Sequence, residues 1–172
     1  MALGRRQEGV ASLQRSIALD PLSARINMDA GWLLLQASRF REAAVQARRA
    51  LELDPELKEA WGCLARALMY MGDDRSAMEA IRSTVPEEEL QAVGSLAPRE
   101  AIRALFRRFT VSDPYQRAWR LALVGSREET LTQIEAAFQA RSSMMPLIAV
   151  DPAFAALRNE PRFQKVVRDM RL

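Results

Sequence analysis

A chain of 172 residues with 49% hydrophobic and 27% charged residues can bury a core, which excludes a disordered tail. It has no histidine, which excludes histidine-based catalysis and the commonest zinc ligand, and its single Cys63 excludes an intrachain disulfide. The formal charge is only +3 and the basic residues are spread along the chain, so direct nucleic-acid binding is not expected. We predict no cofactor, no metal site and no catalytic residue.

Residues that favour helix dominate the sequence, and apolar residues recur at helical spacing. This pattern predicts five helices in the first half of the chain, over residues 5–19, 23–37, 40–53, 57–71 and 74–84. No apolar run reaches the roughly 18 residues that a membrane span requires, and no signal peptide is expected. A cytoplasmic location is expected, or a periplasmic one if the parent protein has a membrane anchor upstream.

A repeat is visible in two Asp-Pro pairs, Asp20-Pro21 and Asp54-Pro55, which lie 34 residues apart (54 − 20). Small residues follow the same offset, as in Gly31 with Ala65 and Ala43 with Ala77. Small side chains at helical spacing allow two helices to approach closely, so the offset predicts stacked helical pairs. Asn27 departs from the pattern, because the large Trp61 stands at the equivalent position and is expected to pack between the helices of its repeat.

The unit Trp61-x2-Leu64-Ala65-x2-Leu68, followed by Gly72 and Ala77, resembles the tetratricopeptide repeat, whose period is about 34 residues. The resemblance implies an all-α fold: a right-handed superhelical α-solenoid of stacked helix-turn-helix units with a helical C-terminal cap. We expect a half repeat and two repeats over residues 1–85, an irregular helical connector over 86–110, and a degenerate repeat and cap over 111–172. All three segments are expected to pack as one domain.

The third helical pair is predicted around Tyr115 and Gly125, with Thr130 at the place that Ala77 takes after Gly72. Four sequence segments in the last third of the chain resemble the C-terminal end of bacterial multidomain regulators, in which tetratricopeptide repeats follow a winged-helix, Ser/Thr kinase or nucleotide cyclase domain. They are Ser112-Asp113-Pro114-Tyr115, Ile134-Glu135-Ala136-Ala137-Phe138, Val150-Asp151-Pro152-Ala153-Phe154 and Pro161-Arg162-Phe163-Gln164. The resemblance implies a protein-interaction or sensory module at the C-terminal end of a larger signalling or transcription regulator.

Two other functions stay open beside this interpretation. The first is self-association as a homodimer through the N-terminal half repeat, whose Val10, Leu13 and Ile17 form an apolar stripe with incomplete cover. The second is catalysis by Cys63 or by the acidic run Glu87-Glu88-Glu89. Catalysis is disfavoured because no histidine can activate the thiol, and because three carboxylates after a proline are typical of a solvated helix start.

The resemblance also implies a binding surface, because the first helix of each tetratricopeptide pair lines the concave side. Spacings of three and four place Arg25, Met28, Trp32 and Gln36 on one side of the first such helix, and the same offsets give Glu59, Gly62, Arg66 and Tyr70, with Met69 beside them. An indole, a thioether and guanidinium groups suit a peptide with an apolar anchor and a nearby carboxylate. The alternative is that Trp32 and Met69 only pack against neighbouring helices. Met28 and Trp32 stand where chaperone-binding members carry a Lys and Asn clamp, so a chaperone tail is not expected.

Overall fold

The computed structural model describes residue 9, residues 12–13, residues 15–108 and residues 111–170. Val10 of the predicted apolar stripe lies outside these residues. No strand occurs in the described part, so the all-α prediction is confirmed. We number the α-helices in chain order as α1 (Ala24–Gln36), α2 (Phe40–Leu53), α3 (Lys58–Met71), α4 (Asp74–Arg82), α5 (Glu87–Val93), α6 (Pro98–Arg108), α7 (Pro114–Leu123), α8 (Arg127–Gln139) and α9 (Pro161–Asp169).

The remaining helical structure is short. Residues 15–19 are helical, and two 3₁₀ helices, Met145–Leu147 and Pro152–Leu157, lie between α8 and α9. The chain divides into two compact units, Met1–Ala101 and Ile102–Leu172, with the boundary inside α6. The predicted boundaries at residues 85 and 110 do not coincide with this division, and the packing of all segments as one domain stays a prediction. Within the described residues, no helix is both long enough and apolar enough to cross a membrane.

The first unit is built on contacts between small residues. Helix α1 packs against both α2 and α3, α2 packs against α3, and α3 packs against α4. The helices approach closely at Gly31, because a Cβ atom there would lie 2.7 Å from Cys63 Sγ and 3.3 Å from the carbonyl oxygen of Ala43. Seven alanines of α1 to α4 are completely buried, namely Ala30, Ala43, Ala47, Ala50, Ala60, Ala67 and Ala77. Gly31 and Ala43, two of the small residues that follow the 34-residue offset, thus lie at a contact between helices.

The turns of the three helical hairpins, α1–α2, α3–α4 and α7–α8, have the same geometry. In each turn a residue with positive φ lies between the two helices: Ser38 (61°), Gly72 (77°) and Gly125 (80°). The following amide donates to the carbonyl five residues earlier, which closes the end of the first helix in a Schellman-type arrangement. The N···O distances are 2.9 Å for Arg39 to Leu34, 3.0 Å for Asp73 to Leu68 and 2.9 Å for Ser126 to Leu121.

The start of the first helix is also the same in each hairpin. Its fourth residue donates a side-chain N–H to the backbone carbonyl six residues earlier, and the donors differ: Asn27 to Pro21 (3.3 Å), Trp61 to Pro55 (2.9 Å) and Arg117 to Val111 (2.7 Å). This shared hydrogen bond accounts for Asn27 at the place of a tryptophan. Trp61 itself is only half-buried, short of the fully packed position that the sequence predicts.

The second unit joins the third hairpin to the C-terminal segment. Helix α8 packs against α7 and α9, and the second 3₁₀ helix packs against α7. The Tyr115 hydroxyl donates to the buried Asp151 carboxylate at 3.0 Å, and the Tyr115 ring meets Phe154 edge-on at 5.6 Å. Arg162 at the start of α9 forms a bidentate pair with Glu135 of α8, with N···O distances of 2.8 and 2.7 Å. Residues of the C-terminal sequence segments that carry the resemblance are thus packed against one another.

Thr130 lies in the third hairpin at the position equivalent to Ala77 of the second. It is fully buried, as Ala77 is in the second hairpin. Its hydroxyl donates to the carbonyl of Ser126 at 2.6 Å, so the extra polar atom is satisfied inside the core. A buried threonine is tolerated there because the backbone at the start of the same helix supplies the acceptor.

Candidate functional site

The candidate site is built on α1 and α3, which lie side by side in the first unit. Trp32 and Arg66 occupy equivalent positions of the two helices, 34 residues apart (66 − 32). The Arg66 guanidinium carbon lies 5.3 Å from the centre of the Trp32 ring, within the range of a cation–π contact. The structure therefore brings together the two residues at the centre of the predicted surface.

The Trp32–Arg66 pair is partly withdrawn from solvent. Arg66 is 8% exposed, whereas Trp32 is half-buried. A guanidinium over an indole holds both side chains in one geometry, so little further ordering is needed when a partner binds. Part of the predicted alternative is also present, since one side of the indole already contacts a neighbouring helix.

Other predicted residues divide between the core and the surface. Met28 is 2% exposed, so its thioether belongs to the core and contributes nothing to an open surface. This corrects its placement beside Trp32. Arg25 is exposed and pairs with Asp29 at 3.3 Å, and an exposed pair of this kind adds little stability. Glu59 is exposed, and Gly62 is half-buried.

The C-terminal ends of α1 and α3 carry the remaining predicted residues, Gln36, Met69 and Tyr70, all half-buried. The Tyr70 ring stacks on Phe40 of α2, with 4.6 Å between ring centres and 22° between planes. We call Trp32, Gln36, Arg66 and Tyr70 the α1–α3 face. In the tetratricopeptide interpretation these four residues belong to the first helices of two successive repeats.

A cleft of about 450 Å³ opens beside the turn between α1 and α2. We call it the turn cleft. The turn cleft includes Tyr70 and otherwise consists of residues that the sequence interpretation did not select: Ser38, Arg39, Phe40, Arg41, Glu42 and Met71. One sequence signal was available: the turn between α1 and α2 lacks glycine and is followed by an aromatic residue between two arginines. The contact of this aromatic residue with the end of α3, however, depends on the tertiary structure.

The two arginines of the turn cleft differ in whether they form an ion pair. Arg39 holds Glu42 in a bidentate ion pair, with 2.6 Å between Nε and Oε1. Their hydrogen bond raises the pKa of Arg39 and lowers the pKa of Glu42, so both stay charged at neutral pH. Arg41 is exposed and makes no ion pair with any residue that the structure describes. Within the described residues, the cleft therefore presents a cation that is not neutralised.

Cys63 lies behind this surface and is fully buried beside Gly31. Burial raises the pKa of its thiol to about 12, against a smaller opposite effect of the Arg66 charge. A thiol with this pKa is protonated at neutral pH and is a poor nucleophile. Its position is that of a small packing residue.

Comparison with known proteins identifies no family. No protein-family model matches the chain, and no curated protein matches it. The functional conclusion therefore depends on the geometry of the α1–α3 face and of the turn cleft.

Proposed function

We propose that this chain is a tetratricopeptide-type α-solenoid module that binds an extended peptide segment of a partner protein and catalyses no reaction. The support for the repeat type is the turn and helix-start geometry shared by three hairpins, together with the contact of α1 with α3. Repeat arrays of this kind contact only their neighbours and present continuous binding surfaces. The right-handed superhelix and the cap formed by the C-terminal segment belong to the same proposal.

The observation that carries the binding function is the Trp32–Arg66 pair. Tryptophan and arginine are the residue types that most often dominate binding energy at protein interfaces. Here a half-buried indole is held by a guanidinium on the adjacent helix, 5.3 Å from its ring centre. The exposed part of the indole suits an apolar anchor of the peptide, and the exposed Arg41 of α2 suits an acidic neighbour.

The proposed cellular role follows from the resemblance of the C-terminal sequence segments to those of bacterial multidomain regulators. We propose that the module belongs to a cytoplasmic bacterial regulator of signalling or transcription, in which partner binding is the sensory event. The Tyr115–Asp151 and Arg162–Glu135 contacts join residues of these segments to one another, and the cellular role rests on the resemblance alone. The nature of an effector domain is open to a direct test by reading the coding sequence upstream of Met1.

The binding proposal can be tested by selecting peptides from a random 12-residue display library on the full chain. We expect enrichment of peptides with an apolar anchor near an Asp or Glu. Trp32→Leu should weaken the selected peptides about tenfold or more, since it removes an interface tryptophan. Trp61→Leu is the matched control, because Trp61 is also half-buried but lies about 140° around α3 from Arg66.

Thermal melting of both variants separates binding from folding. The proposal predicts lost binding only in Trp32→Leu, with similar melting temperatures for the two variants. A failure to enrich any peptide, or equal loss in the two variants, would contradict it.

The second candidate function is self-association through the first helical segment. Leu19 is 87% exposed and Leu22 is 68% exposed, and two large apolar side chains so close in sequence favour contact with another chain. Leu13 and Ile17 are each half-buried. Sedimentation velocity at several concentrations tests this candidate: Leu19→Ser with Leu22→Ser should shift a dimer to monomer, and a wild-type chain that is monomeric throughout would end it.

A further inference from the structure

The turn cleft continues the α1–α3 face. Gln36 and Tyr70 stand one helical turn after Trp32 and Arg66, and a helical turn advances about 5.4 Å. Tyr70 belongs to both the face and the cleft. A peptide that lies along the face toward the C-terminal ends of α1 and α3 therefore reaches the cleft.

The cleft combines an available positive charge with apolar surface, which suits the carboxylate of a peptide side chain. Arg41 is an exposed cation without an ion pair among the described residues, whereas Arg39 is already neutralised by Glu42. The stacked Phe40 and Tyr70 rings and the 44% exposed Met71 supply apolar surface beside this charge. Acidic groups flanked by an apolar side chain match this combination of an available guanidinium and an aromatic wall.

Ser38 is an independent observation at the same place. Its φ of 61° is the left-handed conformation that the two other hairpin turns assign to glycine, at Gly72 and Gly125. A serine is less favourable there than a glycine, and strained residues retained in this way concentrate at binding sites. The hairpin that keeps a hydroxyl at this position is also the hairpin whose turn lines the cleft.

We propose that the turn cleft binds the acidic side chain of the partner peptide, with Arg41 and the Ser38 hydroxyl as donors to its carboxylate. This inference rests on the proposed function and adds a spacing rule. The cleft begins one to two helical turns, about 5–11 Å, beyond the Trp32–Arg66 pair. An extended peptide advances about 3.3 Å per residue, so the carboxylate should follow or precede the apolar anchor by about two to three residues.

The experiment uses the tightest peptide selected on the full wild-type chain and the same peptide with its Asp or Glu replaced by Asn or Gln. Calorimetric titration measures both peptides against the wild type, Arg41→Gln, Ser38→Gly and the control Arg48→Gln. Arg48 is exposed on the same helix but does not line the cleft. Arg41→Gln should weaken the acidic peptide about tenfold or more and leave the amide peptide unchanged, since a charge-assisted hydrogen bond disappears.

Ser38→Gly distinguishes a binding role from a structural one. We expect it to raise the melting temperature while weakening the acidic peptide by about two- to tenfold, the effect of one neutral donor. If the acidic peptide binds all four chains equally, the cleft inference is overturned and the peptide-binding function stands. If no peptide binds the wild type, both are overturned. Equal weakening in Arg48→Gln and Arg41→Gln would reduce the effect to general charge and would also overturn the cleft assignment.

Discussion

At the residue scale, Gly31 and Cys63 form a close contact between α1 and α3. The fully buried thiol occupies the space that a larger residue at position 31 would need. Helices α1, α2 and α3 converge there, because the Ala43 carbonyl of α2 is the next nearest atom. Small residues at this point determine how closely the helices carrying Trp32 and Arg66 approach each other, and hence whether the cation–π contact can form.

Gly31→Ala should therefore lower the free energy of unfolding by about 1–3 kcal/mol, the usual effect of overpacking a core. Cys63→Ala alone should cost about 1 kcal/mol, since one buried sulfur atom is lost. In the double variant the two effects should be less than additive, because removal of Sγ makes room for the new methyl group. The relief should be partial, since the Ala43 carbonyl still lies 3.3 Å from the added Cβ.

Urea unfolding of the four chains in this double-mutant cycle measures the coupling. A Gly31→Ala variant as stable as the wild type, or strictly additive effects, would show that α1 and α3 are not in contact at this point.

At the scale of the element, the hairpin turn is the unit that recurs. Gly72 adopts a φ of 77°, and a Cβ atom added there would meet nothing within 4 Å. Glycine is therefore needed at this position for its backbone conformation and not for lack of space. Ser38 adopts a φ of 61° without the conformational freedom of a glycine. The first hairpin thus carries a less favourable turn residue than the second, although the hydrogen bonds that close the two turns are equivalent.

Ser38→Gly should stabilise the chain by about 0.5–1 kcal/mol, and Gly72→Ala should destabilise it by about 1 kcal/mol, because only glycine adopts positive φ at no cost. Gly62→Ala is the matched control for the second change. Gly62 lies within α3, where an added Cβ meets nothing within 4 Å, so alanine should stabilise the helix by about 0.5–1 kcal/mol. Thermal unfolding checks all three, and Gly72→Ala and Gly62→Ala with effects of the same sign would refute the turn assignment.

The sequence predicted the elements better than their surfaces. The offset between Asp20-Pro21 and Asp54-Pro55 was enough to place α1 to α4 within about two residues, because proline and small-residue positions limit where helices begin, end and touch. The left-handed turn at Ser38 could not be predicted, since serine has no preference for positive φ. The Asn27 hydrogen bond was also missed, because Asn27 and Trp61 share a donor function and not a size.

The candidate site was predicted in part for a similar reason. Helical spacing placed Trp32 and Arg66 on the same surface, and the structure puts them in contact. The same spacing placed Met28 beside them, but Met28 is buried. Spacing fixes which residues share a side of a helix, whereas the limit between exposed and covered positions depends on how the adjacent helices pack. The turn cleft depends on the approach of residues 38–42 to the end of α3, which no local pattern encodes.

At the scale of the whole molecule, the two units hold different parts of the proposed function. The unit Met1–Ala101 carries the α1–α3 face and the turn cleft, and the unit Ile102–Leu172 carries the third hairpin with the C-terminal segment. In the proposed repeat architecture each hairpin is stabilised mainly by its neighbours, so a binding surface can be confined to a few successive hairpins. Peptide binding should accordingly involve the first unit directly, while the contacts of Tyr115 with Asp151 serve folding of the second.

Mapping of a selected peptide on the full chain by amide chemical shifts tests the central claim most directly. The isotopically labelled chain is titrated with the tightest peptide from the display selection, and Trp32→Leu serves as the negative control. We predict that the largest shifts lie in α1, α3 and residues 38–42 and include the Trp32 indole N–H. At the same peptide concentration the backbone shifts should be strongly reduced in the control. Shifts confined to α4 or to Ile102–Leu172, or shifts that persist unchanged in Trp32→Leu, would contradict the proposal that this surface binds the partner.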